Sequence, residues 1–466
     1  MKFRFEKRHM FIFLFILLLF LSQSIYLYIQ DLNSSVGYEK LAIRLKEKLP
    51  AERGFNVDQI SKLNRIISPD MATYYAFKVS AVSSARGIRQ TQIYGVLGNF
   101  NEFNRVKLIE GSFIDENDNR LKRNVVVIED TVAESLFGSK EVLGLEIEVY
   151  NRKFEIIGII STGRAAIEKL IDIGSSRIYI PLNTMDDLTE TYIGNVEYKN
   201  EGSNLDIDVI KDKIALIGKG YNDFLIEDLN IVGSQQRQKY DILLFVLGVY
   251  CLYVLIRLII DIIKYIVSYS RNRLEDNYFF AMIKNGKKVY IKGILAIAGA
   301  LVLGLFIWKK SSFRLYVAPD KIPDNPASIT QILSVATKYI TEFFNYNYAH
   351  PIYEIKVYGF LQKLSTIVFW IGLIFEILCL ASIKGKKSSK IKESINVLLS
   401  TGICVIVSVW LSVMFIYLLG LPVMISMVDL LFIWISFVIV YFYQQGEYLR
   451  LFFGGFEGIQ NSTKGA

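Results

Sequence analysis

Met10-Phe-Ile-Phe-Leu-Phe-Ile-Leu-Leu-Leu-Phe-Leu-Ser-Gln-Ser-Ile-Tyr-Leu-Tyr-Ile29 runs for twenty residues without a charge. As a helix rising about 1.5 Å per residue, it matches the roughly 30 Å hydrocarbon core of a bilayer. A cleavable leader ending at Ser22-Gln23-Ser24 is the competing reading. Ile25 to Ile29 carry the apolar run past that point and favour an uncleaved anchor.

Five more runs of the same kind follow: Asp241 to Ile263, Val289 to Trp308, Gly359 to Ala381, Val397 to Leu419 and Val423 to Phe442. The composition agrees, because 52% hydrophobic residues in a 466-residue chain exceeds what a water-soluble surface tolerates. The expected fold class is therefore a polytopic α-helical membrane protein of about six spans. An α+β domain outside the cytoplasm lies between the first and second of them. Its segments are 1–30 (N-terminus and first span), 31–240 (outer domain), 241–308 (second and third spans), 309–358 (a second outer loop), 359–443 (fourth to sixth spans) and 444–466 (a cytoplasmic tail).

Charge sets the expected orientation. Much of the net +8 sits in three flanks: Lys2, Arg4, Lys7 and Arg8; Arg271, Arg273, Lys284, Lys287 and Lys288; and Lys384, Lys386, Lys387, Lys390 and Lys392. Placing the N-terminus in the cytoplasm puts all three on the cytoplasmic side, as the positive-inside bias requires. Basic residues placed this way read as topology rather than nucleic-acid affinity, so no nucleic-acid partner is expected and membrane lipid is.

Within 31–240, Tyr38 to Lys48, Asn56 to Ile67, Thr131 to Phe137 and Asp206 to Ile217 read as helices, the last two stopped by Gly138 and Gly218. Gln92 to Val96, Asn124 to Ile128, Leu145 to Val149, Phe154 to Ile160 and Arg177 to Ile180 read as strands. In the second outer loop, Ser328 to Phe344 has a loosely helical apolar pattern. It fits an outer-surface helix or an ordinary packed one.

Catalytic patterns are missing. Gly385-Lys386-Lys387-Ser388 lacks the first glycine and the preceding strand of a phosphate loop. Cys251, Cys379 and Cys404 fall in apolar runs, and His9 and His350 stand far apart, which argues against a metal cluster or a Ser-His-Asp site. No catalytic, cofactor-binding or metal-binding residue is assigned. Ionisable residues in spans are costly, so Arg257, Asp261, Glu376 and Asp429 are functional candidates. Arg257 and Asp261 are spaced to pair on one helix face, and a pairing of Glu376 with Arg257 across the bundle stays open. Ala296, Ala300 and Gly304 form a small-residue stripe suited to close helix packing.

The sharpest signal is Asn124-Val-Val-Val-Ile-Glu-Asp-Thr-Val-Ala-Glu-Ser-Leu-Phe-Gly138, then Leu143-Gly144, then Phe154-Glu-Ile-Ile-Gly-Ile-Ile160. Ile93 to Val96, Glu110 to Phe113, Asp118 and Ile178 to Pro181 flank it in order. This resembles the extracytoplasmic core domain of MacB/FtsX-type ABC transporter permeases.

The resemblance implies a permease subunit of a bacterial plasma-membrane ABC transporter, paired as a homo- or heterodimer. It implies that a separate ABC ATP-binding subunit binds ATP and Mg, so this chain itself is no enzyme. Export of a peptide, antibiotic or lipid-like molecule is the implied task, and the ATPase contact falls on Arg271, Arg273, Glu275, Lys284, Lys287 and Lys288. Two departures stand out. The chain has six spans and a long 309–358 loop where the family has four and a short one, and Asn277 and Ile283 stand where glycines are expected. A transmitter acting on an extracellular partner such as a cell-wall hydrolase, and a membrane-anchored sensor without an ATPase, are the alternatives.

Overall fold

The computed structural model describes residues 7–33, 40–47, 49–104, 106–161, 176–200, 205–274, 278–317, 322, 323, 325–345, 353–382 and 391–444, with Ile167 and Phe453 besides. Its strands are β1 Lys40–Leu45, β2 Ala72–Ser84, β3 Gly87–Gly98, β4 Leu108–Gly111, β5 Val125–Glu129, β6 Glu146–Val149, β7 Arg152–Ile160, β8 Arg177–Pro181, β9 Ile193–Lys199 and β10 Phe224–Asp228. Its helices are α1 Lys7–Asn33, α2 Val57–Ile67, α3 Phe100–Asn104, α4 Glu116–Arg120, α5 Asp130–Phe137, α6 Leu182–Leu188, α7 Ile207–Leu216, α8 Leu229–Leu274, α9 Phe279–Ser311, α10 Ile329–Asn345, α11 Tyr353–Ser382, α12 Ile391–Leu418 and α13 Met427–Gln444.

Six of these helices, α1, α8, α9, α11, α12 and α13, are long and apolar enough to cross a membrane. Many of their apolar side chains point outward, among them Leu305 at 70% exposure and Ile406 at 66%, as lipid contact requires. α8 is twice the length its apolar run predicts: it has 46 residues, because polar turns carry the helix beyond the apolar stretch at both ends. Likewise α8 runs to Leu274 and α9 starts at Phe279, so Arg271, Arg273, Lys284, Lys287 and Lys288, expected on a loop, sit on helical ends.

The ten strands form one mixed sheet in the order β10-β1-β9-β2-β3-β8-β5-β7-β4, with β6 pairing β2 and β7. The β3/β8 and β5/β7 pairs are parallel. β5-α5-β7 is the Asn124 to Ile160 segment quoted above. Val126 and Ile128 point to one face and Val127 to the other, so all three are buried and the strand reads as an unbroken apolar run. Gly138 ends α5 at φ +71°, a backbone state that favours glycine.

α2, α5, α6 and α7 cover one face of the sheet, burying Ile60, Leu136, Met185 and Ile214 against it. Asn56 starts α2 with a capping box closed by Gln59. The other face carries Tyr75, Tyr94, Phe100 and Tyr179, whose rings lie 5.6 to 6.0 Å apart. The helix expected over Tyr38 to Lys48 is instead strand β1. All six of its residues are buried between β9 and β10, and this pairing overrides a locally helical spacing of Leu41 and Leu45.

Candidate functional site at the junction of domain and bundle

The sheet meets the bundle at one corner. β1 follows α1, β10 runs into α8 without a break, and the two strands pair antiparallel from Leu41↔Asp228 to Leu45↔Phe224. The first two chain-linked helices therefore enter the domain on neighbouring strands. Alternation along β1 sends Leu41, Ile43 and Leu45 into the domain core and Lys40, Ala42 and Arg44 to the opposite face. There Ala42 packs within the apolar cluster of the bundle.

Arg44 locks this corner. Its Nη1 lies 3.1 Å from Glu227 on β10 and its Nη2 3.2 Å from Glu197 on β9, so one guanidinium joins three strands. The Arg44 and Glu197 side chains are 2% and 4% exposed, which makes the pair a desolvated one that must be matched to be tolerated. Lys40 donates to the Phe103 carbonyl and lies 5.4 Å from that residue's ring centre. A second buried pair, Arg177 Nε to Glu129 Oε1 at 2.9 Å, ties β8 to β5 further along the sheet.

Among the described residues, two contacts join domain and bundle without a chain link. Ile355, near the start of α11, is buried in the aromatic cluster under Tyr75, Tyr94 and Tyr179, while Val357 and Tyr358 pack into the bundle. Ile167 is likewise buried in the bundle cluster, and its N–H donates to the Leu419 carbonyl beyond α12 at 3.0 Å. Below them Lys239 of α8 donates to Thr366 of α11 at 2.7 Å. Arg237 and Asp241 pair at 3.6 Å along α8, and Lys310 of α9 is ion-paired with buried Asp429 of α13. Asp429, a candidate from its place in an apolar run, thus has Lys310 as its partner, a residue the sequence pattern had not singled out.

The small-residue stripe faces α8. Ala300 is buried and Ala296 half-buried, and a methyl on Gly304 would sit 3.7 Å from Leu252. Closer approaches lie elsewhere on the same pair of helices. A Cβ on Gly248 would come within 2.5 Å of Ser311, and one on Gly293 within 2.4 Å of Ile266. Glycine spacing across two helices, rather than along one, is the signal that reveals them.

The remaining candidates are dispersed. Arg257 is exposed, donates from Nε to Tyr253 Oη at 3.1 Å and lies over that ring, while Asp261 is half-buried. Glu376 is fully buried beside Cys251 and Cys379, and neither carboxyl oxygen has a hydrogen-bond partner among the described residues. Arg257 and Glu376 are therefore not joined. At the end of the bundle away from the domain, Arg271, Lys284, Lys287 and Lys288 are exposed and Arg273 stacks over Tyr269 at 4.9 Å. Ile266, Val267, Ser270, Arg271 and Leu274 line a shallow groove there. Glu275 lies outside the described residues, as do Lys384, Lys386, Lys387 and Lys390.

The MacB-like periplasmic core domain family matches residues 12–212. Among solved structures, the periplasmic region of MacB from Actinobacillus actinomycetemcomitans is similar at 18% identity, over 45% of this chain and 97% of that one, with a TM-score of 0.35. The extracellular domain of the noncanonic ABC-type transporter YknZ from Gram-positive bacteria is similar at 18% identity, over 41% and 100%, with a TM-score of 0.32. No curated protein matches the chain. Residues 12–212 thus match the MacB-like periplasmic core domain, in a chain that carries six helices long and apolar enough to cross a membrane.

Proposed function

We propose that the chain is the membrane-spanning subunit of an ABC transporter. In this reading it couples ATP hydrolysis by a separate ATPase to movement of its α+β domain, and so exports a peptide, antibiotic or lipid-like molecule. The observation that carries this reading is α8, a single helix from β10 to the basic end of the bundle. Its 46 residues extend on the order of 70 Å, more than twice the hydrocarbon thickness. A rod of that length moves its two ends together.

In this scheme the N-terminus and the basic ends of α8 and α9 lie in the cytoplasm, where a nucleotide-driven partner engages Arg271, Arg273, Lys284, Lys287 and Lys288. Close packing at Gly248, Gly286 and Gly293 makes α8 and α9 shift as a pair. The motion reaches the sheet through β10 and the Arg44 clamp, and through Ile355 on α11. A subunit that drives an external hydrolase uses the same rod, so cargo movement separates the two uses.

The test is purification from the native membrane in mild detergent. The expected result is recovery with an ATP-binding subunit, and loss of about tenfold of that subunit on combining Lys287→Glu with Lys288→Glu. Recovery of the chain alone overturns the transporter reading. ATP-dependent activation of an outer enzyme without cargo uptake in reconstituted vesicles replaces export with signalling.

A further inference from the structure

α10 has a two-sided surface that no described element covers. At about 100° per residue, Ile329, Ile332, Leu333, Ala336 and Ile340 fall within one arc of roughly 100°. The four large residues are 73%, 46%, 58% and 54% exposed, and no described element packs broadly against the helix. The opposite arc holds Thr330, Gln331, Ser334 and Thr341. Ser334 bonds back to its own helix, at the Gln331 carbonyl, at 2.8 Å. The helix sequence has one lysine and one glutamate and so carries no net charge.

α10 lies between two candidate spans, α9 before it and α11 after it, and the start of α11 packs Ile355 against the domain. α9 ends in lipid-facing Leu305 and Trp308 beside Lys309 and Lys310, the arrangement of a span leaving the hydrocarbon. The connection beyond it keeps Leu315, Tyr316 and Val317 exposed beside Arg314. After α10, Tyr353 of α11 follows Asn345 within about 28 Å of extended chain. A second copy of the chain is a weaker occupant, because five side chains fall far short of the roughly 20–30 residues per side of a stable interface.

We infer that α10 lies in the headgroup layer of the leaflet on the domain's side, with its Ile329–Ile340 stripe in the acyl region. Its polar face is rich in hydroxyls, and its one lysine and one glutamate cancel, which makes this a hydrophobic insertion that does not depend on lipid charge. The lipid-facing surface of the bundle then continues past α9 onto a helix parallel to the membrane.

The test uses the full chain. Cys251, Cys379 and Cys404 are buried, so a cysteine introduced at the surface takes a fluorescent label selectively. Ile332→Cys and Ser334→Cys point to opposite arcs, and each labelled protein is reconstituted into vesicles of phosphatidylcholine, with or without phosphatidylglycerol. The expected result is a blue-shifted Ile332 label quenched several-fold more by brominated phosphatidylcholine than the Ser334 label, equally in both lipid mixtures. Adding Leu333→Asp and Ile340→Asp brings the Ile332 label down to the Ser334 level. Equal quenching at the two positions overturns the inference, as does a difference seen only with phosphatidylglycerol. A shielded Ile332 label without bromolipid quenching, together with Ile332→Cys disulfide dimers, assigns the stripe to a second copy instead.

Discussion

Replacing Arg44 with methionine keeps most of the side chain's volume and removes its charge from the corner where β9, β1 and β10 meet. Glu197, 4% exposed, and Glu227, 17% exposed, then face each other across β1 without the guanidinium that bridged them. Removing one partner of a buried pair costs about 3–5 kcal/mol, chiefly through the charge left behind. At about 1.4 kcal/mol per factor of ten, local opening of these strands becomes roughly a hundred- to several-thousandfold more frequent. Trp308, Trp370, Trp410 and Trp434 all lie in the candidate spans, so tryptophan fluorescence does not report on the domain. Hydrogen exchange read by mass spectrometry does, on peptides covering 40–45, 193–199 and 224–228. The Arg44→Met chain should exchange far faster in these peptides and little faster in β4 at the opposite end of the sheet. Adding Glu197→Gln and Glu227→Gln should restore most of the protection, because no uncompensated charge then remains. Exchange within about threefold of the parent chain, or no recovery in the triple variant, refutes the clamp.

Lys310→Met should lower the thermal midpoint of the detergent-solubilised chain, because Asp429 is left buried without its cation, a loss of about 3–5 kcal/mol. Adding Asp429→Asn should recover much of it. Burial pushes the Tyr150 phenol up to about 12, and burial raises Tyr74 and Tyr198 as well. Their contribution to stability is thus complete below the ordinary phenol value near 10 and is lost as pH rises from there through the folded-state values. Alkaline unfolding should start above about pH 10, and the tyrosinate absorbance difference between the parent and Tyr150→Phe chains should rise only near the top of that range. The Tyr150 hydroxyl is buried with no hydrogen-bond partner among the described residues, so the phenylalanine variant should be no less stable at neutral pH. Gly111 has φ +82°, and a Cβ there would stand 2.1 Å from the Ile157 carbonyl oxygen. Gly111→Ala should therefore cost at least about 1–3 kcal/mol and expose the β4–β7 edge to proteolysis.

The spans and the Asn124 to Ile160 segment were legible because each is governed by local pattern: an uninterrupted apolar run, or a buried strand leading to a glycine-stopped helix. β1 was not. Its Ala42 and Arg44 face the bundle and are as buried as Leu41 and Ile43, so the alternation that marks a half-exposed strand is missing. β10 was hidden for another reason, since Phe224–Asp228 passes directly into α8 and offers no turn residues to mark its end. The clamp itself joins residues 153 and 183 positions apart, and only strand register brings them together. Glu376 and Arg257 illustrate the converse. Both are conspicuous in apolar runs, yet one is enclosed and the other turned outward.

Pairing of β1 with β10 also limits which motions can pass the joint. If β1 and β10 were to slip along each other by one residue, the side-chain alternation would put Leu41, Ile43 and Leu45 against the bundle and Arg44 into the apolar core. A slip that preserves the faces needs two residues, about 7 Å, and breaks every bond of the five-residue ladder on the way. The two strands therefore move together: tilt and rotation of α8 reach the sheet through β10, whereas slippage of one strand past the other is stopped at this corner.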